Sequence, residues 1–332
     1  MRTNAVHKFS SKAKSAYMGR VIASWNNRGN ASARIITTTL RDIRNETEIN
    51  SLKYLDQPKI DQYIDSLRDR LENGELKRPA TSARISALNV IIKYADLDIK
   101  PISASKEGLS RGGIDTSDKS NSREAAEEIK NALINRIGPD LRNEALYHSL
   151  RLQEAFGLRA QESLAIKIAD KDPDASKLII NKSDMPKASR PREIPIRNDH
   201  QRQVLREAKE FAQRNGWTSL IEPSNSLSQG KNFAYNTLAD IRQEAGYPEF
   251  HFHGERHSYA HERFNELYQQ HTGFDLQCPA MMGLDTKEWR EYAANATGLS
   301  MEQIRDLDKE IRLEISGELG HGRTDVTRYY LG

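Results

Sequence analysis

Between positions 32 and 48 the apolar residues Ile35, Ile36, Leu40 and Ile43 recur at the three- and four-residue steps of one helix face. The stripe returns after Pro58 as Ile60, Tyr63, Ile64, Leu67 and Leu71. It returns again after Pro79 as Ile85, Leu88, Ile91 and Ile92, with Arg84 and Lys93 off the apolar face. Three such helices predict a compact helical unit over 31–99, preceded by a basic arm, 1–30. Over 100–121 the periodicity stops: Pro101, Gly108, Gly112, Gly113 and a run of Ser, Thr and Asp carry too little apolar surface to order themselves, which predicts a linker. Positions 123–136 and 140–156 then read as helices, the second stopped by Gly157. Positions 177–181 and 192–196 read as short strands joined by a polar turn containing Pro186, Ala188 and Ser189. After Asp199 the pattern is helical again, with breaks near Gly216, Gly246, Pro279 and Gly298. The expected fold is mainly α with a small antiparallel sheet, and its second domain occupies 122–332.

A length of 332 residues suits two or three domains of ordinary size. No run approaches the roughly 18 apolar residues of a membrane span, and the first residues lack the apolar centre of a secretory signal. A cytoplasmic protein is therefore expected. The single cysteine, Cys278, cannot form an internal disulfide or a multi-cysteine metal site, in keeping with a reducing compartment. The 50 basic and 47 acidic side chains leave a net charge of only +3, but they are unevenly spread. Up to Arg44 there are nine basic residues, Arg34 and Arg41 among them, against Asp42 alone. A phosphate backbone attracts such a segment, because each neutralised phosphate releases condensed counterions; a solvated helix face has the same composition.

Individually, the residues able to carry chemistry have ordinary readings. Arg159 follows Gly157 at a helix start with Glu162 three residues on, the spacing of a helical ion pair. Lys187 sits in the hairpin turn, where a lysine is usually solvated, although a turn can also swing an ammonium into a groove. His257 and His261 lie one helical turn apart, as zinc ligands can. Yet the order His253-Gly254-Glu255-Arg256-His257 matches neither His-Glu-x-x-His nor its inverse, and no cysteine or carboxylate completes a site. No metal is expected there. Leu319-Gly320-His321 reads as a helix end, and Tyr329-Tyr330 as packing.

Their order along the chain joins them. With Gly157-Leu158-Arg159-x-x-Glu162, Lys187 eight residues before Pro195, His253-x-x-Arg256, Leu319-Gly320-His321 and Tyr330 nine residues later, the sequence resembles the tyrosine recombinases, the phage integrase family. The resemblance covers most of 30–332, and 81–94 is similar to the last helix of the family's core-binding domain. It implies a helical, SAM-like core-binding domain and a catalytic domain that close on DNA as a C-shaped clamp. It also implies a site-specific recombinase or integrase of a mobile element that works through a 3′-phosphotyrosine at Tyr330, without cofactor or metal. Arg159, Arg256 and His253 would hold the phosphate, His321 would assist, Lys187 would be the general acid with Lys182 as fallback, and Glu162 would support Arg159. Double-stranded DNA is the implied partner, contacted through Arg34, Arg41, Arg84 and Lys93. A homotetramer on paired sites, monomeric when free, and an accessory DNA-bending protein are implied as well.

The chemistry suits these residue types. Guanidinium groups stay charged and donate paired hydrogen bonds to phosphate oxygens. A phenol of pKa about 10 needs help to attack, and a 5′-oxygen needs a proton to leave. A type IB topoisomerase-like DNA-relaxing enzyme, or an accessory factor that binds DNA without cutting, would share much of the pattern. The sequence also departs from it. Arg256 and His321 are 65 residues apart, longer than in compact members, so 266–305, with Cys278, Met281, Met282, Trp289 and Tyr292, is read as an insertion of a helix or two. Tyr329 is a competing nucleophile on chemistry, and the spacing favours Tyr330. Leu331 and Gly332 follow Tyr330, where many relatives carry a further helix that docks on an adjacent subunit.

Overall fold

A computed structural model describes residues 8–27, 29–138, 140–184 and 190–332, apart from the side chain of Asn30. Its contacts divide the chain into two compact units, Met1–Gly113 and Ile114–Gly332.

The first unit packs helices α1 (Lys12–Trp25), α2 (Asn30–Thr47), α3 (Gln57–Glu72) and α4 (Arg78–Ala95). Ser11 and Asp56 cap α1 and α3 by accepting from the Lys14 and Lys59 amides, and Pro58 and Pro79 occupy first turns, where no N–H is needed. The expected stripes of α2, α3 and α4 form the core, except that Ile35 is exposed. Two expectations change. The segment read as a basic arm contains α1, whose Met18, Ile22 and Ala23 are buried in that core while Lys12, Lys14 and Arg20 are exposed. The segment read as an unordered linker contributes 100–113 to the same unit. Leu109 is fully buried, the Asn89 amide bonds both backbone groups of Ile102, and Arg68 pairs with Glu107. Polar side chains anchor there what apolar content does not.

The second unit runs α5 (Arg123–Ile134), α6 (Leu141–Phe156), α7 (Ala160–Ala165), strands β1 (Lys177–Ile180) and β2 (Arg192–Pro195), α8 (Asp199–Arg214), α9 (Leu227–Glu244) and α10 (Phe252–Thr272). It continues with α11 (Pro279–Met282), α12 (Thr286–Thr297), α13 (Met301–Glu318) and α14 (Arg328–Leu331). The strands pair antiparallel with Lys177 opposite Pro195 and Ile180 opposite Arg192, so Leu178, Ile180 and Ile194 face inward. Helix α6 is buried along most of its length and packs against α5, α8 and α10. The inserted region is the end of α10, α11, α12 and the start of α13. Trp289 of α12 ties it to α10, its ring lying 5.3 Å from Phe264 and 5.2 Å from Tyr268. Among the described residues no helix is long and apolar enough to cross a membrane.

Candidate active site

Helix α6 ends at Gly157, whose φ of +58° suits a residue without a side chain. A Cβ at this turn would also lie 2.5 Å from the Tyr259 ring and 2.9 Å from Leu319, so α10 and the end of α13 close directly over it. Two residues later Arg159 opens α7. Its amide donates to Glu162 Oε2 at 2.9 Å and its Nη1 to Oε1 at 2.9 Å. From the other side Arg192, on the inward face of β2, donates Nη2 to Glu162 Oε2 at 2.8 Å and Nε to the Glu318 carbonyl at 2.7 Å. Burial opposes charge on Glu162, but the hydrogen bonds and charge of Arg192, then those of Arg159, outweigh it and hold the carboxylate well below its usual range. Glu162 thus braces two guanidinium groups at once.

Helix α10 places His253 and Arg256 three residues apart, on one face. The Arg256 side chain is fully buried. It donates to the carbonyls of Gly157 and Leu319, and its Nε reaches the Tyr330 hydroxyl at 3.1 Å. Burial pushes its pKa down to about 10, so it remains cationic at neutral pH. His253 lies at the rim, its ring 5.5 Å from that of Tyr330. Desolvation by the surrounding protein, and then the Arg256 charge, push it down to about 4.

Gly320, at φ +74°, turns the chain out of α13 and delivers His321. The Nε2 of His321 lies 3.2 Å from Arg256 Nη2, 3.3 Å from Arg159 Nη2 and 3.4 Å from the Tyr330 hydroxyl. Guanidinium nitrogens only donate, which assigns the lone pair to Nε2 and the proton to Nδ1. Desolvation, followed by the charges of Arg256 and Arg159, pushes this imidazole down to about 4, leaving it neutral at physiological pH.

Tyr330 stands on the short α14, almost wholly buried. The two histidines that invited a zinc reading hold it. His257 packs 4.7 Å from its ring, and His261 Nε2 is 2.6 Å from its carbonyl oxygen. Among the described residues no group of three or more His, Cys, Asp or Glu side chains is arranged to hold a metal ion. The partly buried Tyr329 packs against the hydrophobic core, and the hydroxyl that reaches Arg256 and His321 is that of Tyr330.

The structure therefore brings together Arg159, His253, Arg256, His321 and Tyr330, with Glu162 behind Arg159. Lys187 lies outside the described residues, and Lys182 is exposed in a single turn after β1. Sequence reasoning missed Arg192, His257 and His261 as parts of the site, and also Glu318, which accepts from the Tyr259 hydroxyl at 2.7 Å and from Arg263 Nε at 3.0 Å. Only Arg192 left a legible signal: it lies two residues before Ile194 and so shares its inward face. Beside Arg159 and His253 runs a groove also lined by Gln161, Lys231, Tyr235 and Phe252. In the first unit Arg34 and Lys93 are exposed. Arg41 is partly buried, its Nη2 3.4 Å from the Lys12 carbonyl. Arg84 is partly buried; its Nε donates to Asp42 at 2.8 Å, and Arg70 shares that carboxylate at 3.4 Å.

The sequence matches no family model and no curated protein. Solved structures do resemble it. The XerH site-specific recombinase in a post-cleavage complex with palindromic difH substrate superposes with a TM-score of 0.58 at 15% identity, over 96% of this chain and 80% of that one. Its pre-cleavage complex with difH gives 0.56 at 15% identity, over 96% and 81%. The Tn1549 transposon integrase in complex with circular intermediate DNA gives 0.54 at 12% identity, over 96% and 94%. At these identities the likeness is one of fold, and the fold is that of the tyrosine recombinases.

Proposed function

We propose that this chain, folded as the tyrosine recombinases are, cuts and rejoins DNA strands at specific sites through a 3′-phosphotyrosine on Tyr330. One observation carries the reading: the buried Arg256 guanidinium meets the Tyr330 hydroxyl at 3.1 Å, with His321 and Arg159 gathered on the same point. Arg159 and Arg192 share the single carboxylate of Glu162, and Arg256 is held by carbonyls and the phenol, so a phosphodiester supplies negative charge that the cluster lacks.

In this reading the scissile phosphate enters between Arg159 and Arg256, with His253 as a further donor. The Tyr330 oxygen attacks phosphorus, the bond to the 5′-oxygen breaks, and one phosphodiester becomes another. The phenol's proton leaves toward His321 Nε2, and a proton must reach the departing 5′-oxygen, the role proposed for Lys187. In the free protein His321 is a poor base because burial desolvates it and two cations face its lone pair. A bound phosphate offsets those cations and raises its basicity, so proton acceptance is coupled to substrate binding. Attack by a 5′-hydroxyl of a second strand reverses the step and exchanges partners. Action as a tetramer on paired sites, in a mobile element, is the further extent of the proposal; it draws on the sequence resemblance and on a transposon integrase among the structures of like fold.

The test is a duplex nicked just 3′ of the cut, from which the short fragment bearing the new 5′-hydroxyl diffuses away, so that the adduct accumulates. Wild-type protein is expected to form a covalent adduct that maps to Tyr330, and Tyr330→Phe to form none while binding DNA with similar affinity. Adducts persisting in Tyr330→Phe would refute the assignment. Relaxation of any supercoiled plasmid without paired sites would favour the topoisomerase reading.

A further inference from the structure

We infer that α11–α13, lengthened by the segment inserted between Arg256 and His321, form a seat for the residues that follow Tyr330, and that Arg312 is the positioning residue that holds the nucleophile through them. The inference rests on the proposed role of Tyr330 as the attacking group.

Helix α14 has four residues, too few to be stable by itself; the Tyr330 and Leu331 amides both donate to the Thr327 carbonyl, and nothing in so short a helix fixes its direction. External contacts supply what it lacks. Leu331 is fully buried. Gly332 lies so close to α11 that a Cβ on it would be 2.8 Å from the Ala280 nitrogen and 3.1 Å from Pro279 Cβ. Arg312 of α13 donates Nη1 to the Gly332 carbonyl at 2.8 Å and Nε to Asp308 at 2.6 Å. The second oxygen of the fully buried Asp308 is taken by Arg290 of the inserted α12 at 2.8 Å. The insertion therefore supplies both the wall against Gly332 and a second cation, Arg290, that holds the Asp308 carboxylate on which Arg312 is anchored.

Tyr330 is thus gripped on both sides, at its own carbonyl by His261 and two residues later by Arg312. Its hydroxyl stands at hydrogen-bond range from Arg256, where a shift of about 1 Å costs a reacting group on the order of a hundredfold in rate. Releasing the far grip lets α14 rotate about the near one and carries the hydroxyl off line.

The experiment compares full-length wild-type protein with Arg312→Ala and Leu331→Ala. Replacing Arg312 leaves Asp308 its Arg290 partner, so no buried charge is orphaned. Leu331→Ala empties the seat while leaving the Arg312–Asp308 pair intact. Amide hydrogen exchange over 327–332 is expected to accelerate at least about tenfold in both variants, with protection elsewhere in the second unit unchanged. Adduct formation on a nicked duplex is expected to fall about 10- to 100-fold while DNA affinity stays within about twofold. Arg312→Lys, which keeps a cation beside Asp308 but loses the planar fork whose separate nitrogens reach Asp308 and the Gly332 carbonyl, is expected to keep the melting temperature without restoring exchange protection. Unchanged exchange in both variants would overturn the proposal. So would a freely exchanging end with wild-type adduct rates, or a parallel loss of DNA affinity and protection throughout the unit. Should the wild-type protein form no adduct at all, the recombinase reading falls, and the exchange comparison alone judges the seat.

Discussion

Arg159 and Arg256 carry the same group and answer differently to substitution because their surroundings differ. The Arg256 side chain is fully buried and satisfies two backbone carbonyls, so Arg256→Lys leaves buried acceptors unpaired at about 1–3 kcal/mol each and lowers the melting temperature as well as activity. Arg159 is partly exposed, and its anchor, Glu162, retains Arg192 when Arg159 changes. Arg159→Lys is therefore expected to reduce adduct formation about 100-fold with little change in melting temperature. Single-turnover cleavage and thermal melts on both variants check this contrast, and equal losses of stability would refute it. The ionisation states follow the same principle of surroundings. Glu162 keeps its charge in a buried place because two guanidinium groups face it, while His321 gives up its charge because desolvation, and then the same kind of group facing it, oppose protonation.

Helix α10 shows how an element turns spacing into a site. His253, Arg256, His257 and His261 recur at three- and four-residue steps, so a helix must present them along one side. The start of that helix is fixed from outside. Its N-cap residue, His251, makes no side-chain cap; instead Asn121 donates to the His251 carbonyl at 3.0 Å and to Glu255 at 2.6 Å, and accepts from the His251 amide at 3.2 Å. Gly254 leaves the room this requires, since a Cβ there would overlap the Asn121 side chain. Gly254→Ala is expected to destabilise the protein by about 1–3 kcal/mol. The double variant with Asn121→Ala is expected to lose less than the sum of the two singles, because the collision disappears with its partner. Denaturant melts on the three variants measure this, and strict additivity would argue against the contact. A helix here and the His257–His261 step were legible in the sequence; that Asn121, 130 residues before His251, holds the start of the helix and needs Gly254 for room was not.

For the molecule as a whole, the proposed function makes DNA affinity depend on which cations the fold leaves exposed rather than on how many the sequence holds. Arg34 and Lys93 are exposed and Arg84 is paired with Asp42, so Arg34→Ala and Lys93→Ala are each expected to reduce the slope of log affinity against log salt by about one, and Arg84→Ala to leave it unchanged. Salt titrations of binding decide between them, and a lower slope for Arg84→Ala would mean that DNA displaces Asp42. Much of the architecture could be read from the residues in order. Periodicity, capping residues and turn residues act over a few positions, so α2, α3, α4, α5, α6 and the β1–β2 hairpin were visible, as was the ordered series from Arg159 to Tyr330. Tertiary structure decided whatever depends on a partner far away in the chain. It folded α1 and 100–113 into the first unit through Met18, Ile22, Leu109 and Asn89, paired Arg84 with Asp42, and set Arg192 behind Glu162 and Arg312 behind α14. A side chain's neighbours along the chain fix its direction, but its charge state and its freedom to act depend on groups that folding alone brings within a few ångströms.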